Sequence, residues 1–308
     1  MIEDNIKPNI NLADYTTFKI GGPAKFFIKA QTKDELGQAL AWAKAKNLNY
    51  FILGGGSNLL VSDKGFDGLV IKLTNEEIEQ SGNELVAGAG ARLGEAVAWA
   101  AEAGLSGLEW AAGIPGSVGG AVRGNAGAYG GEISQTLKAV EFFDAATGQF
   151  TTLPTAELAY SYRSSLFKQD TSKIIWQATF ALQPGDKEAV SAKVNALIAE
   201  RLARQPHEPS AGCVFKNLMA SDDLVAKLSA AGKVKGNKLA CGLVVESLGL
   251  KGKSVGGAKV SDEHANFVVN YAQASAQDVK TLVELIKQEA KARFNLELEE
   301  EIQYLGLF

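Results

Sequence analysis

Apolar positions recur at helical spacing in four stretches of the chain and at strand-like density in several others. Thr32-Lys-Asp-Glu35 reads as a capping box, in which hydroxyl and carboxylate satisfy each other's backbone amides. Leu36, Ala39, Leu40 and Ala43 follow at helical spacing, so a helix is predicted to about Lys46. A second helix is predicted over residues 95–103. Val190, Val194, Leu197 and Arg201 outline a third over 186–204, which ends before Pro206. Ser275-Ala-Gln-Asp278 is a further capping box, opening a helix that carries Val279, Leu282, Val283 and Ile286.

Tyr50–Leu53 reads as a short buried strand stopped by Gly54-Gly55-Gly56, and residues 69–71 read as the next strand, joined to it by a glycine-rich turn. Residues 140–143 and 176–182 read as strands as well. From about Leu296 the pattern alternates, which puts Leu298, Glu300, Ile302 and Tyr304 on one face and Glu299, Glu301 and Gln303 on the other. Residues 222–263 scatter lysines and glycines between short apolar runs and predict only mixed structure. Together the elements predict an α+β fold.

At 308 residues the chain is about twice the usual domain length, which predicts two or three lobes. The clearest boundary runs over 201–209, where a helix gives way to prolines and polar residues. With 46% hydrophobic and 21% charged residues, a disordered chain is excluded. Thirty-one basic against 35 acidic residues leave a net charge of −4, so no broad positive field gathers nucleic acid or an anionic membrane. Cys213 and Cys241 cannot build a disulfide framework and lie in no zinc pattern, so no metal is expected and a reducing cytoplasm is. The first residues lack a secretory pattern and no apolar run reaches 18, so membrane insertion is not expected.

Glycine, at 33 residues, is the compositional outlier. In Leu53-Gly54-Gly55-Gly56-Ser57-Asn58 the backbone amides are free to converge on an anion, because glycine admits positive φ and leaves no Cβ in the way. The same residues also suit a tight turn between strands. They match neither the dinucleotide fingerprint nor the phosphate loop of nucleoside triphosphatases. A second segment, residues 113–131, holds eight glycines in nineteen residues. Ile114, Val118 and Val122 recur in it every four residues, as in an ordered, partly buried wall. Two such segments in one lobe suit a large dinucleotide with two phosphates, and FAD is the natural candidate.

Seven blocks then resemble, in order, the UDP-N-acetylenolpyruvoylglucosamine reductase family. They are residues 53–60, 113–121 with 125–129, 160–168 (YSYRSSLFK), 209–217 (PSAGCVFKN), 255–258, 264–267 (HANF) and 298–306. The short stretch between the Cys213 and His264 blocks resembles the type II branch, which lacks a substrate-covering insertion. The resemblance implies a vanillyl-alcohol-oxidase/PCMH-type FAD-binding domain of two subdomains, 1–75 and 76–200, and an α+β substrate-binding domain, 201–308. The C-terminal tail is a candidate to pack on the first subdomain. It further implies a cytoplasmic enzyme of peptidoglycan synthesis, a monomer or weak dimer, that uses NADPH to reduce FAD and then a UDP-sugar enolpyruvyl ether. An FAD-dependent alcohol or sugar oxidase of the same fold is the alternative.

By resemblance, Gly54, Gly55, Gly56, Ser57, Asn58, Gly113, Ile114, Pro115, Gly116, Ser117, Gly119, Gly120, Asn125 and Gly127 bind the cofactor. Hydride addition to the terminal enolpyruvyl carbon drives charge toward the adjacent carboxylate, so the reaction needs a fixed cation and an acid for the other carbon. Arg163 matches the family's catalytic arginine, and its planar fork suits a carboxylate. Cys213 stands where the family pattern shows a serine as proton donor. A thiol with an ordinary pKa of about 8.5 is a better donor than an alcohol, unless Lys216 or nearby amides ionise it. Glu301 matches the family's glutamate, whose implied role is to hold Arg163 or a water in place. Tyr162, Lys216, Asn217, His264 and Asn266 are implied substrate contacts, although His264 reads equally as a satisfied core histidine. His207 lies in the proline-bearing linker, and Cys241 reads as a small buried hydrophobe.

Overall fold

The computed structural model of the chain describes residues 2–219 and 238–308. The 222–237 part of the mixed-structure stretch lies outside them. The Thr32 capping box forms, and the helix it opens, Lys33–Ala45, turns Leu36, Ala39, Leu40 and Ala43 inward. The other expected helices are Leu93–Glu102, Lys187–Arg204 and Ala276–Phe294, the last opened by the Ser275–Asp278 box. Periodicity locates these helices well because each buries one continuous stripe.

The chain divides into two units. Unit 1 comprises Met1–Ile10, Lys25–Gly55 and Asp67–Ala203, and unit 2 comprises Asn11–Ala24, Gly56–Phe66 and Arg204–Phe308. In unit 1 a four-stranded sheet has the order Lys7–Asn11, Pro23–Ala30, Phe66–Leu73, Tyr50–Leu53. A five-stranded antiparallel sheet has the order Gln149–Pro154, Leu137–Asp144, Lys173–Ala181, Glu84–Gly88, Ile78–Ser81. One apolar cluster joins Ile28, Leu36 and Ile71 with Val97, Val118, Phe142 and Phe180.

The expected glycine turn between Tyr50–Leu53 and the next strand is not a hairpin. The two strands run parallel, Tyr50 opposite Leu69 and Leu53 opposite Lys72, and a two-residue turn cannot join parallel neighbours. The chain between them instead forms the strand Leu59–Val61, which pairs in parallel with Gln303–Leu305 in unit 2. Glycine marks where a strand stops but carries no information on the direction of the next.

Unit 2 is built on the antiparallel order Ser210–Cys213, Phe267–Asn270, Ala258–Val260, Ser254–Val255. Its core draws Val279, Leu282, Val283 and Ile286 from the long helix, together with Cys241, Val244 and Phe215. The C-terminal strand is shorter than the alternation implies. Leu298 and Ile302 are buried and Glu299 is exposed, as expected, but only Gln303–Leu305 enters a ladder. Upstream the segment makes one bridge, Glu300 to Phe215, because it changes partners as it runs.

Candidate active site

The two glycine-rich segments meet in unit 1. A Cβ on Gly55 would lie 2.5 Å from Gly116 Cα and 2.8 Å from Ser117 N, and one on Gly54 would lie 2.6 Å from Ser117 Oγ. Side chains are excluded at both positions because the other segment occupies the space. Gly113 and Gly116 adopt φ of 71° and 121°, and Ser117 then caps the helix Val118–Gly124 by accepting from Gly120 N. Val118 and Val122 are buried and Ile114 is half-buried, which makes the expected ordered wall. Gly119 packs against Ala89, 2.8 Å from where its Cβ would reach, and donates its amide to Ala89 O. Pro115 and Gly120 are exposed. Among the described residues, the amides of Gly55, Gly116 and Ser117 donate to no backbone carbonyl. Three such amides, gathered where two loops abut, match what a diphosphate needs, so the residues fit FAD.

Lys72 belongs to this arrangement, although no motif in the sequence points to it. Its ammonium donates to Gly54 O at 2.6 Å, and burial lowers its pKa. A lone lysine inside the apolar run Leu69-Val-Ile-Lys72-Leu is the available signal.

Asn125 and Gly127 lead from that helix to Arg163. Arg163 sits in a turn closed by reciprocal amide bonds between Ser161 and Ser164, both 3.1 Å, and it adopts φ 56°, a left-handed conformation rare for residues with a long side chain. Its guanidinium donates to Asn125 O at 3.3 Å and to Gly127 O at 3.0 Å, and it lies 5.3 Å from the centre of the half-exposed Tyr162 ring. Lys168 Nζ donates to Arg163 O at 2.9 Å. Backbone strain of this kind, held by several bonds, clusters at functional sites.

The remaining residues lie in unit 2. Cys213 ends a strand that is irregular between Ser210 and Cys213, with Gly212 at φ 77°, and it is partly exposed. Beyond it Val214 and Phe215 are buried and tied to Asn266. Val214 N donates to Asn266 O at 2.8 Å, Phe215 N donates to Asn266 Oδ1 at 3.0 Å, and Asn266 Nδ2 donates to Phe215 O at 2.8 Å. On the other side Glu301 N donates to Val214 O at 2.7 Å and Lys216 N to Glu299 O at 2.9 Å. The Cys213 and Glu301 segments are therefore neighbours. Asn58 belongs to the same unit, where its Nδ2 donates to Glu301 O at 3.1 Å and its carbonyl accepts from Gln303 N. Gly56, at φ 64°, accepts from Thr17 N, and Ser57 is half-buried beside it.

Several implied substrate contacts carry structural duties. The Lys216 ammonium pairs with Glu299, and Asn217 Oδ1 accepts from Cys241 N at 3.1 Å. His264 Nδ1 accepts from Asn266 N at 3.2 Å, its ring lies 4.8 Å from that of Phe267, and burial lowers its pKa. His207 is exposed. Cys241 is fully buried, and desolvation, with a smaller effect from Cys213, pushes its thiol up to about 12, as suits an inert apolar group. Among the described residues no cluster of metal-ligating side chains exists and no helix is long and apolar enough to cross a membrane.

Comparison with known proteins bears on both units. Residues 24–153 match the FAD binding domain family, and residues 205–305 match the family described as UDP-N-acetylenolpyruvoylglucosamine reductase, C-terminal domain. Curated relatives named UDP-N-acetylenolpyruvoylglucosamine reductase include one from Clostridium novyi, 39% identical over 99% of this chain and 93% of its own. Another, from Lactobacillus delbrueckii subsp. bulgaricus, is 41% identical over 98% of this chain and 96% of its own. The crystal structure of UDP-N-acetylenolpyruvylglucosamine reductase from Thermus caldophilus superposes with a TM-score of 0.80 at 36% identity, covering 98% of this chain and 99% of that one.

Proposed function

The chain belongs to the UDP-N-acetylenolpyruvoylglucosamine reductases, and on that premise we propose that it reduces the enolpyruvyl ether of UDP-N-acetylglucosamine-enolpyruvate to UDP-N-acetylmuramate for peptidoglycan synthesis, with NADPH as reductant. The chemistry that FAD supplies when bound is delivery of hydride to the terminal enolpyruvyl carbon. The observation that carries this reading is the meeting of Gly55 with Gly116 and Ser117, whose amides would hold the cofactor's diphosphate. Arg163 supplies the fixed cation for charge growing on the carboxylate. Cys213 gives its Sγ proton to the other carbon, and Glu301 shapes the field around the developing carbanion. Tyr162, next to Arg163 in unit 1, and Lys216, Asn217 and His264 in unit 2 are assigned to the nucleotide sugar. Asn266, buried and bonded to Phe215, acts by holding the Cys213 strand.

The subdivision that goes with this reading is 1–75 and 76–200 for the FAD-binding subdomains and 201–308 for substrate. A four-stranded sheet drawn from the first range and a five-stranded sheet from the second support it, whereas Asn11–Ala24 and Gly56–Phe66 of the first range group with Arg204–Phe308. The same reading includes the short-insertion branch, a cytoplasmic location and a monomer or weak dimer that does not bind nucleic acid. The net charge of −4 agrees with the last point.

A visible spectrum tests the whole. The purified chain is expected to be yellow, to bleach with NADPH under anaerobic conditions, and to regain colour on addition of the enolpyruvyl substrate. A protein that carries no flavin would refute the assignment. Rapid recolouring by oxygen alone, with no response to the enolpyruvyl substrate, would favour an alcohol or sugar oxidase.

A further inference from the structure

Arg163 is a long side chain whose chemistry needs one orientation, and Asn125 is the residue that supplies it. Asn125 is fully buried at φ 44°, the left-handed cap of the helix Val118–Gly124. Its polar groups are spent on protein partners. The carbonyl accepts from Arg163 Nη1 at 3.3 Å, Oδ1 accepts from Ser134 N at 3.1 Å, and Nδ2 donates to Ser161 O at 3.1 Å. Ser161 opens the turn that carries Arg163, so one residue grips both the base of that turn and the tip of the arginine.

The surroundings make this grip separable from the rest of the fold. On one side of the turn Tyr160 Oη donates to Val122 O at 3.1 Å, and on the other Ser165 Oγ donates to Arg123 O at 2.7 Å. The segment stays tied to the helix at both ends without Asn125, and only the turn between them would loosen.

We propose that Asn125 is a positioning residue for Arg163, and not a contact of the cofactor as its place in the glycine-rich segment implies. It fixes the turn and the guanidinium together, so that Arg163 meets the carboxylate in a single pose. The proposal rests on the role of Arg163 as the fixed cation of the proposed reaction.

Asn125→Gly is the informative substitution, because glycine keeps the left-handed backbone and the carbonyl and removes only the two side-chain bonds. Asn125→Asp is the second variant: it keeps the size and the acceptor for Ser134 N while setting an oxygen against Ser161 O. In both holoenzymes, flavin content and the rate of flavin reduction by NADPH should stay within about twofold of wild type. Reoxidation of the reduced flavin by the enolpyruvyl substrate should slow by about tenfold to a hundredfold, the scale of a misplaced catalytic group. In an Arg163→Ala background, Asn125→Gly should add nothing further, since the two act as one unit. Loss of flavin in Asn125→Gly, wild-type reoxidation in both variants, or a fully additive effect in the double variant would overturn the proposal. A wild-type reoxidation rate in Arg163→Ala alone would instead overturn the reading of Arg163 on which the proposal stands.

Discussion

The turn that carries Arg163 and the strand that carries Cys213 are fixed by different means. Arg163, in unit 1, is gripped at its side-chain tip by two backbone carbonyls, at its own carbonyl by Lys168, and through its turn by Asn125. Cys213, in unit 2, is placed through its backbone: an irregularity with Gly212 at φ 77° re-aims the strand end, and the buried pair Val214 and Phe215 anchors the next two positions. The difference comes from the side chains. A guanidinium on a flexible stem loses much freedom when held and needs several partners, whereas a thiol one bond from Cβ points wherever its backbone points. A guanidinium is thus secured by side-chain bonds, and a thiol by the path of a strand.

That contrast is most exposed to substitution at the thiol itself. Cys213→Ala should accept hydride from NADPH normally but form product about a thousandfold more slowly, as loss of a general acid does. Cys213→Ser, which keeps a protic group on the same backbone, should retain measurable turnover in the same steady-state assay. Unimpaired turnover in the alanine variant would remove the donor role.

A smaller effect is expected where the strand is held. Asn266→Ala leaves the buried Phe215 amide and carbonyl without their partners and should lower stability by about 2 kcal/mol, read from denaturant unfolding of the holoenzyme. Unchanged stability would show that the Glu301 side of the strand suffices to place Cys213.

The smallest effect is a pH dependence in the same block. Burial depresses the pKa of His264, so its contribution to stability is present above the unfolded value of about 6.5 and is lost as pH falls through the lower folded value. Melting curves should shift downward as the pH is lowered below about 6.5, and His264→Gln should flatten that shift. Equal slopes for the two proteins would remove the linkage to this side chain.

How much of this is legible in the chain differs by kind of residue. The helices are readable because apolar stripes and capping boxes are local: Thr32 with Glu35 and Ser275 with Asp278 each satisfy amides three residues away. The glycine-rich segments are readable as close-approach positions, but not the fact that they approach each other. The bonds of Asn125 and Asn266 to distant backbone are not legible, since a buried asparagine bonded to backbone looks the same in sequence as one bonded to a ligand. Lys72 escapes notice because its acceptor, Gly54 O, lies eighteen positions back and beside a neighbouring strand.

The sequence by itself determined where four of the helices lie, which segments must stay free of side chains, and which arginine, cysteine and glutamate match the family's chemistry. Each of these depends on residues within a few positions of one another, or on a motif as a string. Tertiary structure alone decided that Tyr50–Leu53 and Phe66–Leu73 run parallel, that Leu59–Val61 pairs with the chain's last strand, and that Asn125 grips the turn of Arg163. The reason is that a strand or a buried amide leaves bonding groups open at any sequence separation, and only the folded chain determines which distant partner fills them.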